Sequence, residues 1–232
     1  MDSLLFDIGD GVGRSGEGGP DCDPRSRAVL QHISGSDDPY ESMISMRQDL
    51  TFDDAEGVFA ERGMEFGEGQ MVSLGMIRDG MFTNLAYLLS DQCTHGIKLA
   101  LFGDEFKNSF IDCEEVSGCV LTQLGRACAF VDRYNGKRSR IAGMYRRDER
   151  DYPPEAIWEV MVNAVAHRDY ALDGSTMVSM SGDCMSVSSM GSIPQGLGSD
   201  DVAMGITSCR NEGLVSILYR LGMMETYGTG HV

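Results

Sequence analysis

The nineteen residues from Tyr152 to Tyr170, YPPEAIWEVMVNAVAHRDY, constrain this chain more than any other stretch. Pro153 and Pro154 suit the first turn of a helix, where a missing N–H costs nothing. Beyond them Ala156, Ile157, Val160, Met161 and Ala164 recur at helical spacing and build one apolar side that wants a core. Glu159, Asn163 and His167 follow at intervals of four, which lines them up as one stripe on a different side. A glutamate can orient or deprotonate water, an asparagine oxygen can ligate a hard cation, and a histidine can pair with a phosphate. The ordinary use of a polar stripe is a solvated face, and spacing alone does not separate the two uses.

The rest of the chain sets limits. Its 232 residues, 42% of them hydrophobic, can bury a sizeable core in one large domain or two small ones. No apolar run approaches the ~20 residues that a membrane span needs. Met1-Asp2-Ser3 lacks a basic start and Leu4-Leu5-Phe6 is short for a signal peptide, so a cytoplasmic protein with no membrane partner is expected. The seven cysteines are odd in number and none forms a Cys-x-x-Cys pair, which argues against a zinc site or a disulfide framework. A net charge of −17 argues against nonspecific nucleic-acid binding by the chain as a whole. One segment opposes this: Arg133, Lys137, Arg138, Arg140, Arg146, Arg147 and Arg150 put seven of the 19 basic residues within 18 positions. Interleaved acids (Asp132, Asp148, Glu149, Asp151) make a balanced solvated surface the plainer reading.

Local signals divide the chain. Residues 1–39 are rich in Gly, Asp and Ser and read as a flexible segment, with Arg27 to Ile33 as one short helix or turn. Residues 40–150 read as a connecting α/β domain. A helix opens at Thr51, with Asp54 three residues on as a capping box, and closes at Gly63. A second helix covers Gln70 to Ile77, and Arg78-Asp79-Gly80 is a turn. Met81 to Leu89 is an apolar run that periodicity cannot assign. Ile97 to Phe102 alternates as a strand, with Phe106 to Cys113 as its partner. Val120, Leu121, Leu124, Ala127, Cys128 and Val131 make an amphipathic helix that Asn135-Gly136 ends. Ser139 to Arg147 reads as one strand. Residues 151–232 form a further domain: the Pro153-Pro154 helix, a hairpin from Ser175–Ser181 to Met185–Ser189, an irregular loop, and a helix capped by Asn211 and stopped at Gly222.

The run Pro153-Pro154-Glu155-Ala156, then Glu159-x-x-x-Asn163-Ala164, then His167-Arg168-Asp169-Tyr170 resembles the C-terminal region of the RecG-related family of bacterial regulators. Leu50-Thr51-Phe52, Thr83 to Gln92, Arg210-Asn211 and Tyr227-Gly228-Thr229-Gly230 look like landmarks of the same family in the same order. The resemblance spans roughly residues 40 to 230 and favours a helix for the Met81–Leu89 run. It implies an α+β fold of two small α/β layers, the C-terminal one like a GHKL-type ATPase sandwich, a mixed sheet covered by helices. In relatives an AlbA-type, Schlafen-like nucleic-acid-binding domain precedes this region. The chain therefore reads as shortened at its N-terminus, and as truncated just past its second glycine box.

The resemblance assigns roles to matched positions. Asn163 would coordinate Mg²⁺ bridging the phosphates of ATP, and Glu159 would position or activate water as the catalytic residue. His167 and Arg210 are candidate phosphate partners. Gly191 and Gly196 match a nucleotide loop loosely, and Gly228 and Gly230 match a second glycine box, where a Cβ would block backbone from ligand. In place of the family's Asp-x-Gly-x-Gly adenine loop stands Ser189-Met190-Gly191-Ser192-Ile193-Pro194, and the nearest acid, Asp183, lies in the hairpin turn before it. Asp169 is expected to pair with Arg168 at the helix end. No Gly-x-x-x-x-Gly-Lys-Ser/Thr loop marks a helicase, and His-Arg-Asp stands without the other protein-kinase motifs. Two readings remain. One is an ATP- and Mg²⁺-binding regulatory domain of a transcriptional regulator, with turnover open. The other is a GHKL-like scaffold that has lost ATP and serves dimerisation or signal relay. Either would reach DNA through a missing or separate domain, with a homodimer as the expected assembly.

Overall fold

The structure, a computed structural model, describes residues 3–8, 39–103, 109–142, 145–181, 184–191 and 210–224. In chain order the elements are β1 (Ser3–Ile8), a 3-10 turn (Tyr40–Ser42), α1 (Asp53–Glu61), α2 (Glu68–Ser73), β2 (Ile77–Arg78), β3 (Met81–Phe82), α3 (Asn84–Leu89), β4 (Ile97–Phe102), β5 (Phe110–Val116), α4 (Val120–Tyr134), β6 (Lys137–Ala142), β7 (Tyr145–Arg150), α5 (Pro154–Ala166), β8 (Thr176–Ser181), β9 (Cys184–Met190) and α6 (Glu212–Arg220). Helices and a mixed sheet make this an α+β fold.

Five strands form the sheet, in the order β1-β9-β8-β4-β5. The β4–β8 pair is parallel and the others are antiparallel. Alternation decides which face is core. Ile97, Leu99, Val178, Met180, Met185 and Val187 are buried with α4 and α5, while Lys98 and Met177 are exposed on the other side. The parallel pair joins strands from either side of residue 150, so the boundary expected there runs through a single sheet. Pairing of β1 with β9 gives the expected flexible segment 1–39 an ordered strand that composition did not reveal.

On α4, Leu124, Ala127, Phe130 and Val131 are fully buried, as its periodicity requires. The helix ends at Asn135, whose amide donates to Tyr152 O at 2.7 Å and whose oxygen accepts from Tyr152 N at 3.0 Å. That exchange ties the end of α4 to the start of α5. The Asp79-Gly80 turn between β2 and β3 has φ of 53° and 75°, values that glycine takes freely.

Several local expectations change. The helix expected over Gln70–Ile77 spans Glu68–Ser73, and Ile77–Arg78 and Met81–Phe82 pair as the short strands β2 and β3, with the helix of the apolar run starting only at Asn84. The start of α1 is capped not by Thr51 and Asp54 but by Asp91, which accepts from the Asp53 and Asp54 N–H groups at 3.0 and 3.1 Å. Thr51 Oγ1 donates to the same carboxylate at 2.5 Å, so the intended cap is itself held by the real one. The Ser139–Arg147 stretch is not one strand but two, β6 and β7, paired as a separate hairpin. The expected helix or turn at 27–33 lies outside the described residues.

Candidate functional site

Helix α5 buries Ile157, Met161, Val162, Ala164 and Val165 in the core. Glu159 is consequently exposed, and Asn163 and His167 are half-buried along the same stripe. The His167 N–H donates to Asn163 O at 3.0 Å and closes the helix. Burial, reinforced by the nearby Arg210 charge, holds the His167 pKa below its ordinary value of 6.5. Neutral imidazole is therefore the form at pH 7.

The turn after α5 is locked. Arg168 is 1% exposed. Its guanidinium donates to Gly96 O at 3.2 Å, to Gly174 O, and to His95 Nδ1 at 3.4 Å, and it lies 5.0 Å from the Tyr170 ring centre. Donation to Nδ1 leaves the His95 proton on Nε2, 3.3 Å from Tyr40 Oη. The rings of Tyr40, Tyr87 and Tyr170 surround His95 edge-on. Burial and then the Arg168 charge push the His95 pKa down to about 4. Tyr170 Oη donates to Val165 O at 3.1 Å.

The expected Arg168–Asp169 pair is not formed. Arg168 is drawn inward by carbonyls that would otherwise be buried without donors, which costs more than a surface ion pair returns. Asp169 pairs instead with Arg210, Oδ2 to Nη1 at 2.5 Å, and its Oδ1 accepts from Ala171 N at 3.0 Å. The Asp169 N–H donates to Met190 O at 2.7 Å, which brings the end of β9 alongside. Next comes Gly191 with φ 150°, where a Cβ would stand 3.3 Å from Asp169 N and 3.4 Å from His167 O. Only glycine lets the two backbones meet there.

From the far end of the sequence Asn211 donates to Ala166 O at 2.9 Å and to Arg168 O at 2.8 Å. It stands at the N-cap position of α6, but its side chain satisfies the carbonyls that end α5, not its own helix. The structure thus gathers Asn163, His167, Gly191 and Arg210 around the C-terminal end of α5, with Glu159 one turn back. Gly196, Gly228, Gly230 and Asp183 lie outside the described residues. Sequence reading missed Asn211 as a brace, and His95 and Glu41 altogether; all three act through contacts at long sequence separation, which leave no spacing pattern.

Chemically, this end of α5 offers an amide oxygen, a neutral imidazole, a close-packed backbone turn and a guanidinium shared with Asp169. A depression of ~640 Å³ between α1 and α2 is no rival phosphate site, because Glu56 and Glu65 line it with Gln70 and no cation. Among the described residues no three His, Cys, Asp or Glu side chains are grouped to hold a metal, and Cys93, Cys113, Cys119 and Cys128 form no disulfide. No helix of the described residues is long and apolar enough to cross a membrane.

Residues 173–231 match the family described as "Putative ATP-dependent DNA helicase recG C-terminal". The chain carries a RecG-related, GHKL-like domain. The match begins after α5, so the Glu159–Asn163 helix stands just ahead of it. Among solved structures, the chain is similar to the DIP2311 protein from Corynebacterium diphtheriae, with a TM-score of 0.72 and 18% identity. That likeness covers 84% of this chain and 42% of the other, and it shows a shared fold. Among curated proteins none matches.

Proposed function

We propose that the end of α5 binds ATP with Mg²⁺, as the regulatory domain of a transcriptional regulator that reaches DNA through another domain and works as a homodimer. One observation carries this reading. Gly191 and Arg210, 24 and 43 residues past His167, close on the same helix end toward which the half-buried Asn163 stripe runs. The RecG-related domain match supports it.

The donor set fits the cation. Mg²⁺ favours hard oxygen ligands and keeps several waters, usually with one or two carboxylates beside the phosphates. The Asn163 amide oxygen is a hard neutral donor that would take one such position. The exposed Glu159 carboxylate would orient a water, His167 and Arg210 would face phosphate oxygens, and Gly191, with Gly196, Gly228 and Gly230, would offer backbone N–H groups. Bound Mg²⁺ would neutralise phosphate charge; the chain's own residues hold and orient.

A second reading, a scaffold that has lost ATP and serves dimerisation or signal relay, is favoured by Arg210 already being held by Asp169 at 2.5 Å. Equilibrium binding of a fluorescent ATP analogue, with Mg²⁺ and with chelator, separates the two. Mg²⁺-dependent saturation supports nucleotide binding, and no binding under either condition supports the scaffold. Phosphate release by the chain and by Glu159→Gln then decides turnover.

A further inference from the structure

Glu41 lies early in the chain, in the 3-10 turn Tyr40–Ser42, and is 6% exposed. Its carboxylate accepts from Gly213 N at 2.6 Å and from Leu214 N at 3.0 Å. These are N–H groups of the first turn of α6, which have no partner within their helix. An N-cap side chain usually supplies the acceptor, but Asn211 is committed to the end of α5, so a carboxylate comes from 172 residues away. The turn that presents it is fixed at two further points. Asn84 Nδ2 donates to Tyr40 O at 2.9 Å, and Tyr40 Oη meets His95, which in turn meets Arg168. At Gly213 an added Cβ would stand 2.8 Å from Leu85 Cδ2 and 3.2 Å from both Glu41 oxygens. Helix, carboxylate and α3 are therefore fitted to one another without room for a side chain.

Burial pushes the Glu41 pKa up, the two amides pull it down, and Glu212 raises it again, with a net rise. An apolar side chain here would leave both α6 amides without an acceptor. What the carboxylate does hold is α6, a helix that begins one residue past Arg210-Asn211.

We propose that Glu41 is a positioning residue of the candidate site: it fixes the N-terminus of α6 so that Asn211 braces the end of α5 and Arg210 stands against Asp169. This rests on the reading of that helix end as a phosphate site. Through it, the turn that leads out of the N-terminal segment is mechanically joined to the phosphate-facing cation. A partner or domain acting on residues 40–42 would shift Arg210 without touching nucleotide.

The test is a spectroscopic signature read beside affinity. The Arg210 Nε–H resonance, assigned by its loss in Arg210→Lys, is followed in the full chain and in Glu41→Gln, together with Mg·ATP binding. Glu41→Gln turns one acceptor into a donor facing an N–H. The expected result is a moved Arg210 resonance and about fivefold weaker binding, in a variant that stays folded by circular dichroism. An unmoved Arg210 resonance in a folded Glu41→Gln overturns the proposal. A moved resonance in a chain that binds no ATP supports the coupling and overturns only the phosphate reading. If Glu41→Gln does not fold, the native chain is titrated with acid instead. Glu41 faces Glu212 on α6 and Tyr170 beyond α5, and Asp169 and His167 flank Arg210. The Gly213 N–H and Arg210 Nε–H should move with one midpoint, above the ordinary glutamate value. Arg210 following His167 or Asp169 while Gly213 moves separately overturns the proposal.

Discussion

The two halves of the Tyr152–Tyr170 run are built from similar polar residues and put to opposite uses. On α5, Glu159 is exposed and Asn163 half-buried, and neither is held in the core. In the turn after it, Arg168 and Tyr170 are buried and Arg168 has its guanidinium spread over two backbone carbonyls and an imidazole. Substitution of Glu159 or Asn163 should therefore disturb the fold little, which lets a chemical role be tested apart from a structural one. The second half cannot change, so its polar residues need no chemical explanation. His167 and Asp169 lie at the seam, half-buried and next to Arg210.

That contrast can be broken experimentally, and the largest effect should come from Arg168. Arg168→Ala strands two buried carbonyls and should cost about 3 kcal/mol or more in urea unfolding. Arg168→Lys should recover little of it, since an ammonium lacks the planar fork. Next, Asn211→Ala leaves the Ala166 and Arg168 carbonyls without a donor and should cost about 2 kcal/mol. The buried cluster should also set an acid limit. His95 is held at about 4 when folded against 6.5 ordinarily, so between those values the unfolded chain binds more protons. Stability that is complete above pH 6.5 should fall as the pH drops towards 4, and His167, shifted the same way, adds to the loss. Unfolding midpoints at pH 7 and pH 5 measure this, and His95→Gln should narrow the gap. Asp169→Asn breaks a partly exposed pair and should cost only about 1 kcal/mol. Smallest of all, Asn163→Ala should change stability by less than about 1 kcal/mol. A large loss there would erase the contrast and make Asn163 another structural residue.

Periodicity made much of this fold legible. Helices α4 and α5 and strand β4 follow from their apolar spacing, because each buries one stripe or one face against a common core. Gly63, Gly80 and Gly222 were readable as stops and turns, and all have positive φ. What was hidden is what closes at a distance. Asp91 caps α1 from 38 residues away and Glu41 holds α6 from 172, and neither stands in any local pattern. The Arg168–Asp169 pair expected at the helix end does not form, because the two side chains diverge there, one inward to carbonyls and one outward to Arg210. Strand β1 escaped because a short edge strand beside Gly- and Asp-rich sequence has little to distinguish it. In the candidate site, the α5 stripe was visible from spacing of four. The convergence of Gly191, Arg210 and Asn211 on its end was visible only as a family order, and the brace through Asn211 was not visible at all.

The most direct test is calorimetric titration of Mg·ATP into the native chain and into Asn163→Ala. Saturable heat in the native chain, lost or weakened at least about tenfold in a variant with an unchanged unfolding midpoint, is the predicted result. Equal heats in both, or none in either, would contradict the assignment of Asn163 to a nucleotide and leave the α5 stripe an ordinary solvated face.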